Sequence, residues 1–389
     1  MSTLPTPSRD AQKHSLQLQA LIQQTIKQAD GWIDFAQFMQ LALYAPKLGY
    51  YSAGNQKFGT GGDFVTAPEI SALYGQTLAQ QVAQILALSK GSIMELGAGT
   101  GRLAVQLLHA LEHLNCLPDH YYILDVSDHL RQVQLEYLQD RLSPQLLRCV
   151  VWLNQLPATF TGVVLGNEVL DAIPVHIVHT KTQGLCERGV MLTEQGLAWS
   201  DKPWDDAPAS GRNLLEEITK QSLPKGYISE FCPAANGLIA SLAIMLERGV
   251  ILMIDYGFSA SEYYHPQRNL GTLMCHYQHY AHTDPLLNIG LQDITAHVNF
   301  SSIAYSGVDN GLHLSGFCSQ AQFLMNCGIL ELMAQVSPSD MARYAPLAAA
   351  AQKLLSPAEM GDLFKVIAFS KNMQVPLLGF TAGDKSHTL

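Results

Sequence analysis

The chain has 389 residues, 48% of them hydrophobic and 14% charged, a composition that permits a large core and argues against intrinsic disorder. A formal net charge of −10 argues against a general nucleic-acid binder, which would carry a basic face. No apolar run reaches the roughly 18 residues of a membrane-spanning helix, so we expect no membrane segment. The seven cysteines are scattered, as in a reducing compartment, and residues 1–10 lack a targeting signature, so we expect a cytoplasmic protein.

Two amphipathic helices are predicted near the N-terminus, from Gln12 to Gln28 and from Asp34 to Leu43. A glycine-rich loop follows, and the stretch Thr66-x-x-Glu69 has the spacing of a capping box at the start of the next helix. That helix is predicted to end immediately before an apolar strand. We therefore assign residues 1–90 to a helical N-terminal extension.

A glycine turn follows this strand, with glycine at positions 97, 99 and 101 and a helix pattern after it. Glycines permit a tight bend and let a ligand approach the backbone closely. A dinucleotide fingerprint would need glycine at Arg102, and there is no Gly-Lys-Ser/Thr phosphate loop. The spacing instead resembles motif I of class I S-adenosylmethionine (SAM) methyltransferases, whose ligand contains no phosphate. Glu95 precedes the turn and either orients it or reaches the amino group of the cofactor.

Strand and helix patterns alternate from residue 91 to residue 174, which predicts a parallel, Rossmann-like α/β sheet with helices on both faces. Ligands of such sheets lie at the carboxyl ends of the strands. Asp125 ends the second strand, where its carboxylate can accept two hydrogen bonds from a ribose diol; the alternative is a plain strand-end acid. We assign Asp125 and its neighbour Val126 to the cofactor site.

Short alternating strands between residues 175 and 230 predict an inserted antiparallel region that faces the substrate. The last segment, residues 231–389, is expected to complete the sheet and to supply helices on the acceptor side. It includes a fifth strand that ends in Asp255-Tyr256-Gly257. His276, His279 and His282 have a spacing of three, but no paired Cys or His motif completes a site, so no metal is predicted.

Acidic residues follow the fourth strand, where class I methyltransferases place groups that face the acceptor. A guanidinium acceptor needs acids that hold its planar fork and localise a lone pair on one nitrogen. Glu168, with Asp171 as the second acid, is the candidate catalytic pair, and Asn167 is assigned to the cofactor side. The alternative is that Asn167 and Glu168 only cap a loop or helix.

Six ordered stretches span most of the chain: residues 49–51, 61–71, 95–101, 167–174, 254–257 and 292–298. Together they resemble the MidA family, which includes the mitochondrial complex I assembly methyltransferase. The resemblance implies a class I SAM-dependent protein arginine methyltransferase with a role in complex I assembly, although the substrate here need not be a complex I subunit.

The resemblance also implies roles for particular residues. Gly97, Gly99 and Gly101 would form the SAM loop, Asp125 the ribose acid and Glu168 the acceptor glutamate. The segment from Gly61 to Glu69, with Asp63 and Thr66, would close over the cofactor. Asn299 departs from the family pattern, because an acid is expected there.

We therefore expect SAM as the cofactor and an arginine-bearing protein as the partner, with no nucleic acid. One alternative is a methyltransferase that acts on a small molecule or another residue, and another is a SAM-binding assembly factor without turnover. An NAD-dependent oxidoreductase is disfavoured by the glycine spacing. The oligomeric state stays open, with a homodimer among the options.

Overall fold

The computed structural model describes residues 4–53, 65–182, 184–204 and 223–389. Its α-helices are α1 (Arg9–Gln28), α2 (Phe35–Tyr44), α3 (Ala67–Ile70), α4 (Ala72–Ser89), α5 (Arg102–His113), α6 (Asp128–Arg141), α7 (Pro144–Leu147), α8 (Pro233–Met245), α9 (Ala260–Tyr263), α10 (Phe300–Asp309), α11 (Gln320–Asn326), α12 (Ile329–Ala334) and α13 (Met341–Leu355). No helix in these ranges has both the length and the apolar character that crossing a membrane requires.

The strands are β1 (Trp32–Asp34), β2 (Ser92–Leu96), β3 (Tyr121–Leu124), β4 (Val150–Leu153), β5 (Phe160–Asn167), β6 (His176–Lys181), β7 (Gly184–Thr193), β8 (Gly196–Pro203), β9 (Ile228–Phe231), β10 (Leu246–Phe258), β11 (Met274–Tyr277), β12 (Tyr280–His282), β13 (Asp293–Thr295), β14 (Val298–Asn299), β15 (His313–Ser319) and β16 (Phe364–Lys371). Short 3₁₀ helices at Leu378–Phe380 and Ser386–Thr388 follow β16. The strands and helices divide between two compact units, each built from three segments of the chain. The core unit comprises Val65–Leu170, Leu238–Ser259 and Phe300–Leu389, and the accessory unit comprises Met1–Phe64, Asp171–Gly237 and Ala260–Asn299.

The core unit contains a seven-strand path in the order β15-β16-β10-β5-β2-β3-β4. Neighbours from β10 to β4 are parallel, whereas β16 runs antiparallel to both β10 and β15. The expected Rossmann-like sheet is therefore present, with one difference from a fully parallel sheet. The apolar run of β16 could not predict its direction, because a buried strand is apolar on both faces in either orientation.

Helices α4 and α5 pack together beside this sheet. They bury apolar side chains at helical spacing, among them Leu78 and Val82 of α4 and Leu107 and Leu111 of α5. Burying one such side chain stabilises the fold by about 1.5–3 kcal/mol. The glycine turn between β2 and α5 is thus fixed at both of its ends by the core.

The predicted capping box at Thr66 is wrong. Thr66 does precede helix α3, but its side chain makes no capping hydrogen bond, and α3 ends after four residues. Ser71 is extended, with φ −162°, and its hydroxyl accepts a hydrogen bond from the Leu73 amide to start α4 instead. The carboxylate of Glu69 binds the side chains of Thr100 in the glycine turn and of Arg102 at the start of α5, rather than the backbone of its own helix.

The accessory unit contains an antiparallel sheet in the order β1-β7-β6-β9, with β8 also paired to β7. Strand β1 comes from the N-terminal extension and pairs with the inserted region through Trp32 opposite Met191. Helix α1 buries Leu18, Ile22 and Ile26 in the same hydrophobic cluster as side chains of this sheet. The N-terminal helices and the antiparallel insertion therefore share one core.

Candidate active site

The glycine turn joins the end of β2 to the start of α5. Gly97, Gly99 and Gly101 all have positive φ angles, of 59°, 54° and 85°. A Cβ atom at Gly101 would lie 2.5 Å from Cδ1 of the fully buried Leu138. Glycine is therefore required by the backbone conformation at three positions and by packing at one of them.

Asp125 lies at the carboxyl end of β3, beside the glycine turn. One carboxylate oxygen accepts a hydrogen bond from the Ser127 amide at 2.9 Å, and the other accepts from Gln134 Nε2 at 2.8 Å. Each carboxylate oxygen offers two lone pairs, so an oxygen that binds a protein donor can also accept a hydrogen bond from a ribose diol. Both contacts fix the orientation of the carboxylate before a nucleoside binds.

Gln134 contacts two of the candidate site residues, and the sequence did not identify it. Its side-chain amide also donates to the Gly99 carbonyl at 3.1 Å, and Trp152 Nε1 donates to its Oε1 at 3.0 Å. Gln134 thus ties the glycine turn to Asp125. A polar residue on the buried side of the α6 pattern was the signal that could have revealed it.

Val126 and Glu95 have opposite environments. Val126 is 81% exposed and offers an apolar surface directly after Asp125. Glu95 is buried, and its Oε2 accepts a hydrogen bond from the Tyr121 hydroxyl at 2.7 Å. Burial raises the pKa of Glu95 from 4.5 to about 7, while the Tyr121 bond lowers it and the charge of Asp125 raises it.

Glu69 connects α3 to the glycine turn. Thr100 Oγ1 donates to Glu69 Oε1 at 2.6 Å, and Arg102 Nε donates to Glu69 Oε2 at 2.6 Å. Thr66, three residues earlier, is partly exposed. Asp63 lies outside the described residues.

The segment after β5 has an unusual backbone conformation. Glu168 has φ +53°, in the left-handed region that non-glycine residues rarely occupy. Its amide donates to the Ile254 carbonyl at 2.8 Å, and Asn167 Nδ2 donates to its Oε1 at 3.0 Å. The Tyr74 hydroxyl in turn donates to Asn167 Oδ1. The Glu168 carboxylate is therefore oriented by a chain of two hydrogen bonds that begins on α4.

Asp255 anchors the same segment from β10. Its Oδ2 accepts hydrogen bonds from the Val169 amide at 3.1 Å and from the Leu170 amide at 2.8 Å, and its Oδ1 accepts from the Tyr256 amide at 2.9 Å. Two backbone amides, that of Leu170 fully buried, thereby find a carboxylate acceptor, which satisfies groups that would be costly to leave unpaired. The Asp-Tyr-Gly motif thus holds the turn that carries Glu168.

Asp171 belongs to the accessory unit and is buried, with 5% exposure. Its backbone carbonyl accepts a hydrogen bond from the Ala296 amide at 3.1 Å. In the same unit, Tyr51 donates to Asp293 at 2.9 Å. Burial raises the pKa of Tyr51 well above 10, and the negative charges of Asp293 and Asp171 raise it further.

The histidines at 276, 279 and 282 lie on a β-hairpin, with His276 opposite Ala281 and His282 opposite Cys275. In the part of the chain that the structure describes, the group of side chains that could hold a metal lies elsewhere and consists of Asp34, His176 and Glu187. His176 and Glu187 already form a 2.7 Å hydrogen bond, and Asp34 caps α2. The hydrogen bond and the helix cap account for the proximity of these three side chains without a metal ion.

The geometry of the glycine turn agrees with comparisons to known proteins. A family described as "Putative S-adenosyl-L-methionine-dependent methyltransferase" matches residues 75–318. The chain belongs to this family. A crystal structure of a Burkholderia thailandensis protein bound to S-adenosyl-homocysteine (SAH) is 49% identical, with a TM-score of 0.95 and 100% of both chains covered. The expected class I methyltransferase fold and the resemblance to the MidA family are confirmed.

Relatives that are named as protein arginine methyltransferases have a lower sequence identity to this chain. Protein arginine methyltransferase NDUFAF7 of Danio rerio is 27% identical over 398 residues, which cover 91% of this chain and 90% of that protein. The NDUFAF7 homolog of Caenorhabditis elegans is 29% identical over 331 residues, with 77% and 74% covered. Both are mitochondrial by name.

The residues around the turn suit the cofactor of the family. Three positive-φ glycines give backbone room, Asp125 offers an oriented carboxylate, and Val126 offers an exposed apolar face. A nucleoside needs these groups: close approach to the backbone, acceptors for its ribose and an apolar surface for its base. SAM supplies an activated methyl group when bound, and the protein supplies orientation.

Proposed function

We propose that the protein transfers methyl groups from SAM to the side chain of an arginine in a protein substrate. The observation that carries this proposal is the Glu168 carboxylate at the end of β5, oriented by Asn167 and set on a left-handed backbone. Unusual backbone conformations concentrate at functional sites, where surrounding contacts maintain them. The names of the curated relatives support arginine as the acceptor.

The chemistry assigns Glu168 a defined task. A lone pair on a guanidinium nitrogen forms the new bond to the methyl carbon while the carbon–sulfur bond of the sulfonium breaks, which releases SAH. The nitrogen then loses one proton. A carboxylate hydrogen-bonded to the guanidinium localises the lone pair and accepts this proton. Glu168 is proposed for this role, with Asp171 as the second acid on the acceptor side.

The cofactor residues are proposed on the same basis. The residues proposed to bind SAM lie in the glycine turn or next to it, and their contacts and exposure support this role. They are Glu95, Gly97, Gly99, Gly101, Asp125, Val126, Gln134 and Asn167. Asp63 and Thr66 are proposed from the family resemblance alone. We further propose that the protein acts in the cytoplasm, which its scattered cysteines support, and that it serves the assembly of a larger complex, as the family resemblance implies.

The proposal is tested by methyl transfer from labelled SAM into a lysate of a strain that lacks the protein. Wild-type protein should label a discrete protein band, and mass spectrometry should place the label on arginine. Glu168→Gln should abolish labelling while the Kd for SAH stays unchanged. Labelling of a small molecule or of another residue would overturn the arginine acceptor, and binding of SAM without any labelling would favour an assembly factor without turnover.

A further inference from the structure

We propose that Glu69 is a positioning residue for the cofactor, because its carboxylate holds the glycine turn in the conformation that binds SAM. Glu69 precedes the turn by almost 30 positions in the sequence, and only the tertiary structure brings its carboxylate next to the turn. The inference concerns cofactor binding and does not depend on which acceptor is methylated.

The contacts occupy both oxygens of one carboxylate. Thr100 donates to Oε1 and Arg102 to Oε2, each at 2.6 Å, so the carboxylate spans the last residues of the turn and the first residue of α5. The Glu69 side chain is 7% exposed, whereas that of Arg102 is 42% exposed. The Glu69 carboxylate is thus shielded from solvent, whereas the Arg102 side chain is partly exposed.

The turn needs such a restraint because of its glycines. Gly97, Gly99 and Gly101 provide room for the ligand, but glycine also has access to more backbone conformations than any other residue. A turn that samples several conformations must lose that freedom when the cofactor binds, which weakens binding. Side-chain contacts that hold the bound conformation in advance remove this cost. Glu69 acts on the helix side of the turn, while Gln134 holds the Gly99 carbonyl on the other side.

The position of Glu69 is itself fixed without the cofactor. The carbonyl of the preceding Pro68 accepts a hydrogen bond from Gln106 Nε2 at 2.8 Å, which attaches α3 to the second turn of α5. The Arg102 guanidinium also lies 5.7 Å from the ring centroid of Tyr137, within cation–π distance. Both partners of the ion pair therefore have contacts that orient them toward each other.

The test measures the Kd of SAH by isothermal titration calorimetry and amide hydrogen exchange of the turn in the ligand-free protein. Glu69→Ala should raise the Kd about tenfold, and Glu69→Gln, which keeps one acceptor for Thr100, about threefold. Amides of residues 97–102 should exchange faster in both variants. Glu136→Ala, which removes an exposed glutamate from α6, is the matched control and should change neither quantity.

A double-variant comparison separates positioning from general destabilisation. Arg102→Met should raise the Kd on its own but add nothing in the Glu69→Ala background, because the shared partner is already absent. Thr100→Val removes a single hydrogen bond and should raise the Kd slightly with an unchanged Tm. An unchanged Kd and unchanged turn exchange in Glu69→Ala would overturn the proposal. A loss of binding that only follows the unfolded fraction, with unaltered exchange at residues 97–102, would overturn it as well.

Discussion

The Tyr74 hydroxyl donates a 2.5 Å hydrogen bond to the side-chain oxygen of Asn167. This bond fixes which end of the Asn167 amide faces Glu168, because the amide oxygen is engaged and the amino group must point the other way. Burial raises the pKa of Tyr74 well above 10, and the charge of Glu168 raises it further, so the phenol remains a donor at neutral pH. A buried tyrosine on α4 thus determines the orientation of the candidate catalytic acid.

Tyr74→Phe should lower kcat about tenfold and raise the Kd of SAH by a smaller factor, about threefold, because it removes a net hydrogen bond of about 1 kcal/mol or more and lets Asn167, which is also proposed to bind SAM, rotate. Steady-state kinetics together with calorimetry measure both quantities. Tyr305→Phe, on a half-exposed tyrosine of α10, is the matched control. A rise in the Kd of SAH without a fall in kcat would contradict this account.

Two replacements of Glu168 should differ in stability although both abolish activity. Since Glu168 has φ +53°, Glu168→Gly should be more stable than Glu168→Ala by about 1 kcal/mol, because glycine adopts this conformation without a Cβ clash. Urea unfolding of the two variants measures the difference. Both should still bind SAH and both should lack methyl transfer. An alanine variant as stable as the glycine variant would show that the left-handed backbone relaxes at little cost.

Asp125→Ala should raise the Kd of SAH by on the order of 100-fold, because it removes the carboxylate that we propose accepts two charge-assisted hydrogen bonds from the ribose. Asp119→Ala, on an exposed acid before β3, is the control. Gln134→Ala should weaken binding as well and should also lower the Tm, since three protein groups lose their partner. Binding of SAH by Asp125→Ala within threefold of wild type would exclude the ribose role.

The Glu95 carboxyl should give the fold a distinctive pH dependence. Its pKa is raised from 4.5 to about 7 in the folded protein, so between these values the folded state binds more protons than the unfolded state. Stability should therefore fall as pH rises from about 5 to 8, with a total contribution of about 3 kcal/mol from this group. Glu95→Gln should reduce the fall in Tm over that range. An identical fall in both proteins would show that other groups cause it.

Local patterns in the sequence predicted the parts of the site that depend on local structure. The glycine turn and Asp125 are recognisable because strand, turn and helix follow one another along the chain. The segment from Asn167 to Leu170 is recognisable because it follows an apolar strand. Its left-handed residue was not predictable, because glutamate carries no local preference for that conformation.

Other parts of the site depend on side chains that are distant in sequence. Glu69 was interpreted as a helix cap because its spacing from Thr66 fits that motif, and only the extended Ser71 shows why the motif fails. Gln134 was indistinguishable from a helix residue that faces the core. The pairing of β1 with β7 joins Asp34 to Gly189, a separation that no local pattern reports.

The division of each unit into three segments has a consequence for how the protein is made. The accessory unit takes chain from Met1–Phe64 and also from Ala260–Asn299, so its first strand leaves the ribosome long before its last segment exists. Contacts between residues so far apart in the sequence form slowly during folding. Until they form, apolar surface and strand edges stay exposed to solvent. Neither unit can be obtained as one contiguous fragment, and a nascent chain that stops before residue 299 should depend on chaperones to avoid aggregation.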